Sequence, residues 1–227
     1  MLLKKWEDLP LEMRNEKVKP YYVSLQRKKI SLLCKLLFDR VVSLCLLICL
    51  TPLFLIFAIL IKQDSEGDVF FHQLRVTRYG EMYYIYKFRT MVKNAEALGA
   101  QVTNDHDPRI TRVGTKLRCC RLDELPQLIN ILKGEMSFVG TRPEVVRYVD
   151  QYTDEMLATL LLPAGVTSEA CIRFKDEEKL LGEGPDVDVK YMNEVLPGKM
   201  KINLESLLKF NFFNDLLIMI KTVIAVI

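Results

Sequence analysis

Asp123 and Glu124 are adjacent carboxylates within Arg118–Pro143, RCCRLDELPQLINILKGEMSFVGTRP. Three arginines bracket them: Arg118 and Arg121 before, and Arg142 after, in a Gly-Thr-Arg-Pro turn. Guanidinium forks match phosphate oxygens two at a time. A carboxylate beside arginine stays ionised, as a nucleophile or a metal ligand must be. Two acids and several arginines in one short stretch suit a magnesium–phosphate site. The same residues also suit a plainer reading. Leu125, Leu128, Ile129 and Leu132 recur at helical spacing, Asp123 is a favoured N-cap, and Pro126 is tolerated in a first turn. Gly134 can stop the helix after Lys133. That describes a capped core helix, and a surface salt-bridge cluster would be spelled the same way.

Further candidates lie upstream. Val69–Thr77 and Met82–Met91 alternate like strands and meet around Tyr79-Gly80 as a hairpin. Tyr83, Ile85, Lys87 and Arg89 share one face of the second run, so Lys87 and Arg89, with Thr90 adjacent, can hold an anion or simply be solvated. Asn94–Gly99 reads as a short helix. Asn104–Thr111 offers Asp105, Asp107 and Arg109, which could serve a metal but fit Asx turns better. Thr115–Leu122 reads as the helix that delivers Arg118 and Arg121. Glu144–Leu162 reads as a helix ended by Pro163-Ala-Gly165, residues 171–200 as charged and irregular chain, and Asn203–Ile227 as an interfacial amphipathic helix.

The chain has 227 residues and a formal charge of +3, enough length for one domain with a real core and too little charge to argue for nucleic acid. Six cysteines without CxxC spacing indicate neither a zinc site nor a disulfide framework, but a reducing, cytosol-facing protein. His72 and His106 are too few for a histidine metal site.

What must position the chemistry includes a membrane element. Val41–Ile61 carries no charge and is long enough to cross a bilayer. Two features compete with a simple spanning anchor. Thr51-Pro52 interrupts the run at its centre, and both flanks are basic, with Arg27, Lys28, Lys29, Lys35 and Arg40 before and Lys62, Arg75 and Arg78 after. A helix that enters, breaks at Thr51-Pro52 and leaves by the same face reconciles them. Asp39, at the membrane edge, is expected to pair with Lys35 or Arg40. Residues 1–30 read as a tethered polar extension.

With these segments in hand, the chain from about Ser31 onward resembles the bacterial sugar transferases, the monotopic polyprenyl-phosphate phosphoglycosyl transferases. The resemblance rests on Thr51-Pro52, Phe70-Phe-His-Gln-Leu-Arg75, Tyr86-Lys-Phe-Arg-Thr-Met91, Asp107-Pro-Arg-Ile-Thr111, Leu122-Asp-Glu-Leu-Pro-Gln127, Lys133-Gly-Glu-Met-Ser137 and Gly140-Thr-Arg-Pro143, all in one order. Four positions depart from the usual pattern: Thr141 for proline, Thr77 and Ser168 for glycines, and Leu36 for arginine. The resemblance implies that a UDP-sugar binds with Mg²⁺ and that Asp123 attacks its sugar-bearing phosphate, expelling UMP. A polyprenol phosphate, undecaprenyl phosphate in bacteria, then takes the phosphosugar from the aspartate. Glu124 would share the metal with Asp123 or handle the acceptor's proton. Arg118 and Arg142 would bind substrate phosphates, with Lys87, Arg89 and Asp107 as weaker carry-overs. The family's membrane dip matches Thr51-Pro52.

The expected fold class is α+β: a mainly helical, membrane-associated domain with a small β-hairpin, an N-terminal re-entrant membrane helix and amphipathic interfacial helices. Its expected divisions are an extension (1–30), the re-entrant helix (31–64) and a catalytic domain (65–227) at the cytoplasmic face of the bacterial inner membrane. Two other readings compete: a membrane-anchored scaffold whose acids and arginines are structural ion pairs, and a phosphohydrolase that uses the same aspartyl intermediate.

Overall fold

The long apolar run folds as one 36-residue helix, α2 (Lys29–Asp64), in a computed structural model that describes residues 3–93, 95, 107–175 and 187–226. The expected interruption at Thr51-Pro52 is not seen, and α2 continues through the pair. Pro52 has no N–H for the preceding turn, while the Thr51 hydroxyl donates to the Leu47 carbonyl at 2.7 Å. By length and composition α2 can cross a bilayer. It is nonetheless two-sided. Leu32, Lys35, Asp39, Ser43 and Ile61 are buried, and Leu47, Leu50, Phe54 and Phe57 pack against buried core residues. These positions follow the helical period, so one stripe of α2 meets protein from end to end. Leu33, Leu37, Val41, Leu44, Ile48, Leu55 and Ile59 are exposed elsewhere on it.

The N-terminal segment is not a tethered extension. Turns at Trp6–Asp8 and Leu11–Met13 lead into α1 (Lys19–Gln26). Leu9, Met13, Val18, Tyr21, Tyr22 and Leu25 are buried in a core with Leu160, Leu161, Leu204, Leu207 and Phe210. Mixed charge hides this apolar set because the chain alternates 3-10 and α geometry, so its spacing follows no single period.

The predicted hairpin is present. β1 (Phe70–Val76) pairs antiparallel with β2 (Met82–Phe88), in a register running from Phe70 opposite Phe88 to Val76 opposite Met82. α3 (Arg112–Cys119) is capped by the Thr111 hydroxyl, which accepts from the Gly114 amide at 3.0 Å. A 3-10 turn, Leu122–Glu124, leads to α4 (Gln127–Lys133), which ends at Gly134 with φ +90.

A second sheet was not anticipated: β3 (Met136–Val139) runs parallel to β4 (Ala164–Thr167). Gly140 and Gly165 let these strands' ends touch, since a Cβ on Gly165 would lie 2.1 Å from the Gly140 nitrogen. Thr77 ties the two sheets together. Its hydroxyl donates to the Glu135 carbonyl and accepts from the Ala164 amide.

The helix expected over Glu144–Leu162 is instead α5 (Val146–Val149) and a 3-10 segment, Met156–Leu161. Between them the Thr153 hydroxyl accepts from the Met156 amide, a local bond that competes with helix continuation. After β4, Ser168 caps α6 (Glu169–Arg173) by accepting from the Cys171 amide at 3.1 Å. Much of the stretch read as irregular is helical: α7 (Val187–Lys190) passes through a π-helical turn, Tyr191–Val195, into α8 (Leu196–Leu208). The single expected C-terminal helix is thus divided, with α8 in the core and α9 (Phe212–Val226) separate from it. Most of Asn94–Gly99 and Lys175–Glu178, and Asp105, lie outside the described residues.

Lys35 does not take Asp39 as its ion partner. Its ammonium donates to Asp215 Oδ2 and to the Val139 carbonyl, both at 2.6 Å, and so ties α2 to α9 and β3. Asp39 accepts from the Phe138 amide, and Arg40 donates to the Ile131 carbonyl. Removing one member of a buried pair strands the other. Lys35→Met is therefore expected to destabilise the protein by about 3 kcal/mol in chemical unfolding, and Lys35→Met/Asp215→Leu to recover at least half of that.

Candidate active site

The central acids are turned inward by one backbone reversal. Arg121 adopts a left-handed conformation (φ +54, ψ 22) between α3 and the Leu122–Glu124 turn. Asp123 is therefore a buried residue inside a tight turn and not the N-cap of α4; Pro126 immediately precedes that helix. Glu124 is clamped. Its Oε1 accepts from Lys87 Nζ at 3.0 Å and from Arg142 Nη2 at 2.7 Å. Lys87 comes from β2. Arg142 comes from the turn after β3, which β1 secures: Arg75 Nη1 donates to the Pro143 carbonyl at 3.2 Å, and the Val76 amide to the Glu144 carbonyl at 3.1 Å.

The two acids differ electrostatically although they are neighbours. Burial by itself would raise the Glu124 carboxyl, but Arg142 and Lys87 outweigh it and hold Glu124 well below the usual carboxylate range. Burial pushes Asp123 up, against the opposing pull of Lys87, and the Glu124 charge raises it further. Burial also pulls the Lys87 ammonium down. Asp123 Oδ1 is sealed from solvent without a hydrogen bond. One oxygen of Glu124 thus takes both cations, and Asp123 keeps lone pairs unused.

The remaining predicted residues divide. Arg118 acts on Asp123 through space, and its Nε donates to the Thr90 hydroxyl at 3.1 Å. Arg89, expected to bind phosphate, is not brought to the acids. Its Nη2 donates to the Ile61 and Ser65 carbonyls and so serves the C-terminal end of α2. Asp107 is engaged by Arg109, accepting from its amide at 3.0 Å and from its guanidinium, which matches the turn reading. Thr51 and Pro52 are exposed on α2.

A cavity of about 480 Å³ adjoins the turn. Its wall combines Arg121, Glu124, Gln127 and Arg142 with apolar Leu46, Leu50, Phe138 and Val166. Gln127 received no role from the sequence, although it stands within the Leu122–Gln127 motif. It is 1% exposed, and neither atom of its amide has a partner. Among the described residues no three His, Cys, Asp or Glu side chains converge. Mg²⁺ commonly takes one or two carboxylates and completes its shell with water and substrate phosphates. The Asp123–Glu124 pair fits such an ion as a partial ligand set.

Glu124→Gln would leave Lys87 and Arg142 facing a neutral amide. We expect a loss of about 2–3 kcal/mol at pH 7, less than for a fully buried pair because both cations keep partial contact with water. A depressed carboxyl contributes stability that is full above its unfolded value near ~4.3 and lost as the pH falls towards the folded value. The gap between wild type and Glu124→Gln should therefore stay level from about pH 7 to 5 and narrow below about pH 4 in unfolding titrations.

Comparison with known proteins follows the same segments. The profile of the bacterial sugar transferase family matches residues 30–227. The chain is 50% identical over 106 residues to the UDP-N-acetylgalactosamine-undecaprenyl-phosphate N-acetylgalactosaminephosphotransferase of Aeromonas hydrophila, covering 47% of this chain and 25% of that protein. It is 39% identical over 155 residues to the undecaprenyl-phosphate galactose phosphotransferase of Salmonella typhimurium, covering 62% and 32%. It is 30% identical over 203 residues to the UDP-glucose:undecaprenyl-phosphate glucose-1-phosphate transferase of Xanthomonas campestris pv. campestris, covering 89% and 40%. The chain thus spans between a quarter and two fifths of the length of these three relatives. With a match that runs from the start of α2 through α9, the chain belongs to the bacterial sugar transferase family.

Proposed function

We propose that this protein transfers a sugar-1-phosphate from a UDP-sugar to a polyprenol phosphate, through a covalent phosphosugar on Asp123. The observation that carries this reading is the unequal pair. A purely structural ion cluster would saturate both acids, yet Asp123 is buried with an unpartnered oxygen while Glu124 takes both cations. That contrast favours the transferase over the scaffold reading. The names of the relatives, all undecaprenyl-phosphate sugar phosphotransferases, support the same chemistry. They differ in the sugar, and the donor here is left as a UDP-hexose or UDP-N-acetylhexosamine.

Asp123 attacks the phosphorus that bears the sugar, the bond to UMP breaks, and an aspartyl-phosphosugar forms. A phosphate oxygen of the polyprenol phosphate then attacks that phosphorus and frees Asp123, giving the polyprenyl diphosphosugar. Arg118, Arg142 and Lys87 neutralise phosphate charge, which is most of what phosphoryl transfer requires. Asp123 and Glu124 would hold Mg²⁺, which would screen the donor diphosphate when bound. A covalent intermediate lets a water-soluble donor and a lipid acceptor react in turn.

The proposed seat is the cytoplasmic face of the bacterial inner membrane, with both ends of α2 on that side. The protein-facing stripe of α2 supports this, because it lays the helix along the folded body from end to end and leaves its other face apolar and exposed. Exposed Leu33, Leu37, Val41 and Ile48 on α2, with Phe213, Leu217, Ile220 and Ile224 on α9, offer the apolar surface.

Two measurements test the proposal. Asp123→Asn keeps the shape and loses the nucleophile, so UMP release with undecaprenyl phosphate present should fall about 10³-fold or more, and donor labelled in the sugar phosphate should no longer bind the protein. Activity at the wild-type rate would refute the Asp123 role. Turnover by the wild type without polyprenol phosphate would instead indicate a phosphohydrolase. For topology, Lys5→Cys and Lys116→Cys in a cysteine-depleted background should be labelled from the same side of sealed vesicles, and labelling from opposite sides would mean a spanning helix.

A further inference from the structure

Two side chains at the site carry sealed polar atoms with no hydrogen bond, and they lie four residues apart. One is Asp123, through Oδ1; the other is Gln127, through both Nε2 and Oε1. Buried carboxamides are ordinarily saturated, because an orphaned group forfeits its hydration and gains nothing. Asn130, further along α4, shows the ordinary case. Its Oδ1 accepts from the Tyr86 amide at 3.0 Å, and its Nδ2 donates to the Tyr84 carbonyl at 2.8 Å and to Glu135 Oε2 at 2.7 Å. Gln127 departs from this within the same short helix, at the wall of the cavity that Glu124 and Arg142 also line.

The missing bonds are complementary. An ionised carboxylate only accepts, and a carboxamide nitrogen offers two N–H groups. Gln127 opens α4 just after the 3-10 turn that holds Asp123, with Leu125 and Pro126 in helical backbone conformation between them, so about one turn of chain separates the two side chains. Resting on the transferase reading, we propose that Gln127 is a positioning residue for Asp123. Its carboxamide N–H closes onto Asp123 Oδ1 when the nucleotide sugar fills the cavity, which leaves Oδ2 to attack.

The group exchanges no proton and no electrons. The Oδ2–P bond forms as the P–O bond to UMP breaks, and Oδ2–P breaks when the acceptor's phosphate oxygen attacks. In the intermediate Oδ1 is the acyl carbonyl oxygen, and the same N–H holds it so that the phosphorus stays turned to the acceptor. A neutral donor suits this task better than a cation. Lysine or arginine at position 127 would form an ion pair with Asp123, as Lys87 and Arg142 do with Glu124, and would draw charge from the attacking oxygen.

The test uses the full chain in vesicles containing undecaprenyl phosphate, with UDP-N-acetylgalactosamine, UDP-galactose and UDP-glucose assayed in parallel. Gln127→Met removes the donor and both orphans. It should slow single-turnover UMP release about 10- to 100-fold, leave the donor KM within about twofold, and leave Tm equal or higher. Gln127→Leu, which carries no hydrogen-bonding group, should slow release at least as much, and it serves if the Met variant fails to fold. An unchanged rate, a loss confined to KM, or a slowed reaction that tracks a lowered Tm in both variants would overturn the positioning role. Asp123→Asn, run alongside, separates the two layers. If it is inert while Gln127→Met is unaffected, only the positioning role falls; if it is active, the transferase reading falls first.

Discussion

The clamp on Glu124 is the contact on which the rest of the site depends. Lys87 lies 37 positions before Glu124 and Arg142 lies 18 after it, so one carboxylate oxygen fixes β2, the Leu122–Glu124 turn and the turn after β3 relative to each other. Bringing three ionised groups out of water is unfavourable unless each is paired. Here both cations reach the same oxygen, and the resulting pull more than cancels the effect of burial on Glu124. The neighbouring acid is spared. Lys87, Arg118, Arg121 and Arg142 are four cations acting on two carboxylates, which leaves a surplus of two positive charges. That surplus has the sign and size that a diphosphate ligand needs.

Sequence spacing carried much of this. The hairpin, the helix bearing Arg118, the helix after the acids and its stop at Gly134 all follow local rules, and local rules are legible. Which acid would be clamped was not, because Asp123 and Glu124 are adjacent and only the left-handed backbone at Arg121 decides where each points. Arg89 misled for a related reason. Alternation places it beside Lys87, but β2 ends at Phe88, and the next side chain is drawn to the carbonyls at the end of α2. The β3–β4 pair left no readable trace either. Four-residue strands joined by a long crossover have no turn signature, and their clearest mark is the requirement for glycine at both 140 and 165.

The N-terminal segment and α9 show a different limit on reading by composition. Both mix charged with apolar residues; in the N-terminal segment the apolar residues pack into the core, and in α9 a single charge, Asp215, is the buried side chain. Asp215, a charge within an otherwise apolar run, is buried with Lys35, which meets it across 180 positions. Pairing over such distances is set by the tertiary fold, and no window along the chain contains it.

Packing also bears on how the proposed reaction at a lipid surface could be run by a site whose two acids lie in a turn. Leu47 and Leu50 of α2 pack on the cluster that holds Leu128 and Ile131 of α4. The apolar helix in the proposed membrane seat is therefore in contact with the helix that begins just after Asp123 and Glu124. Close-packed side chains transmit position with little slack. The height of Asp123 above the apolar surface is then fixed by α2–α4 packing, and the hairpin is held in the same way, because Tyr83 and Ile85 of β2 share that cluster. Lys87, two residues beyond Ile85, inherits that position and carries it to Glu124. A single cluster thus lies between α2 and the elements that lead to Asp123 and Lys87, so in the proposed seat a polyprenol phosphate would meet the proposed nucleophile at a constant depth.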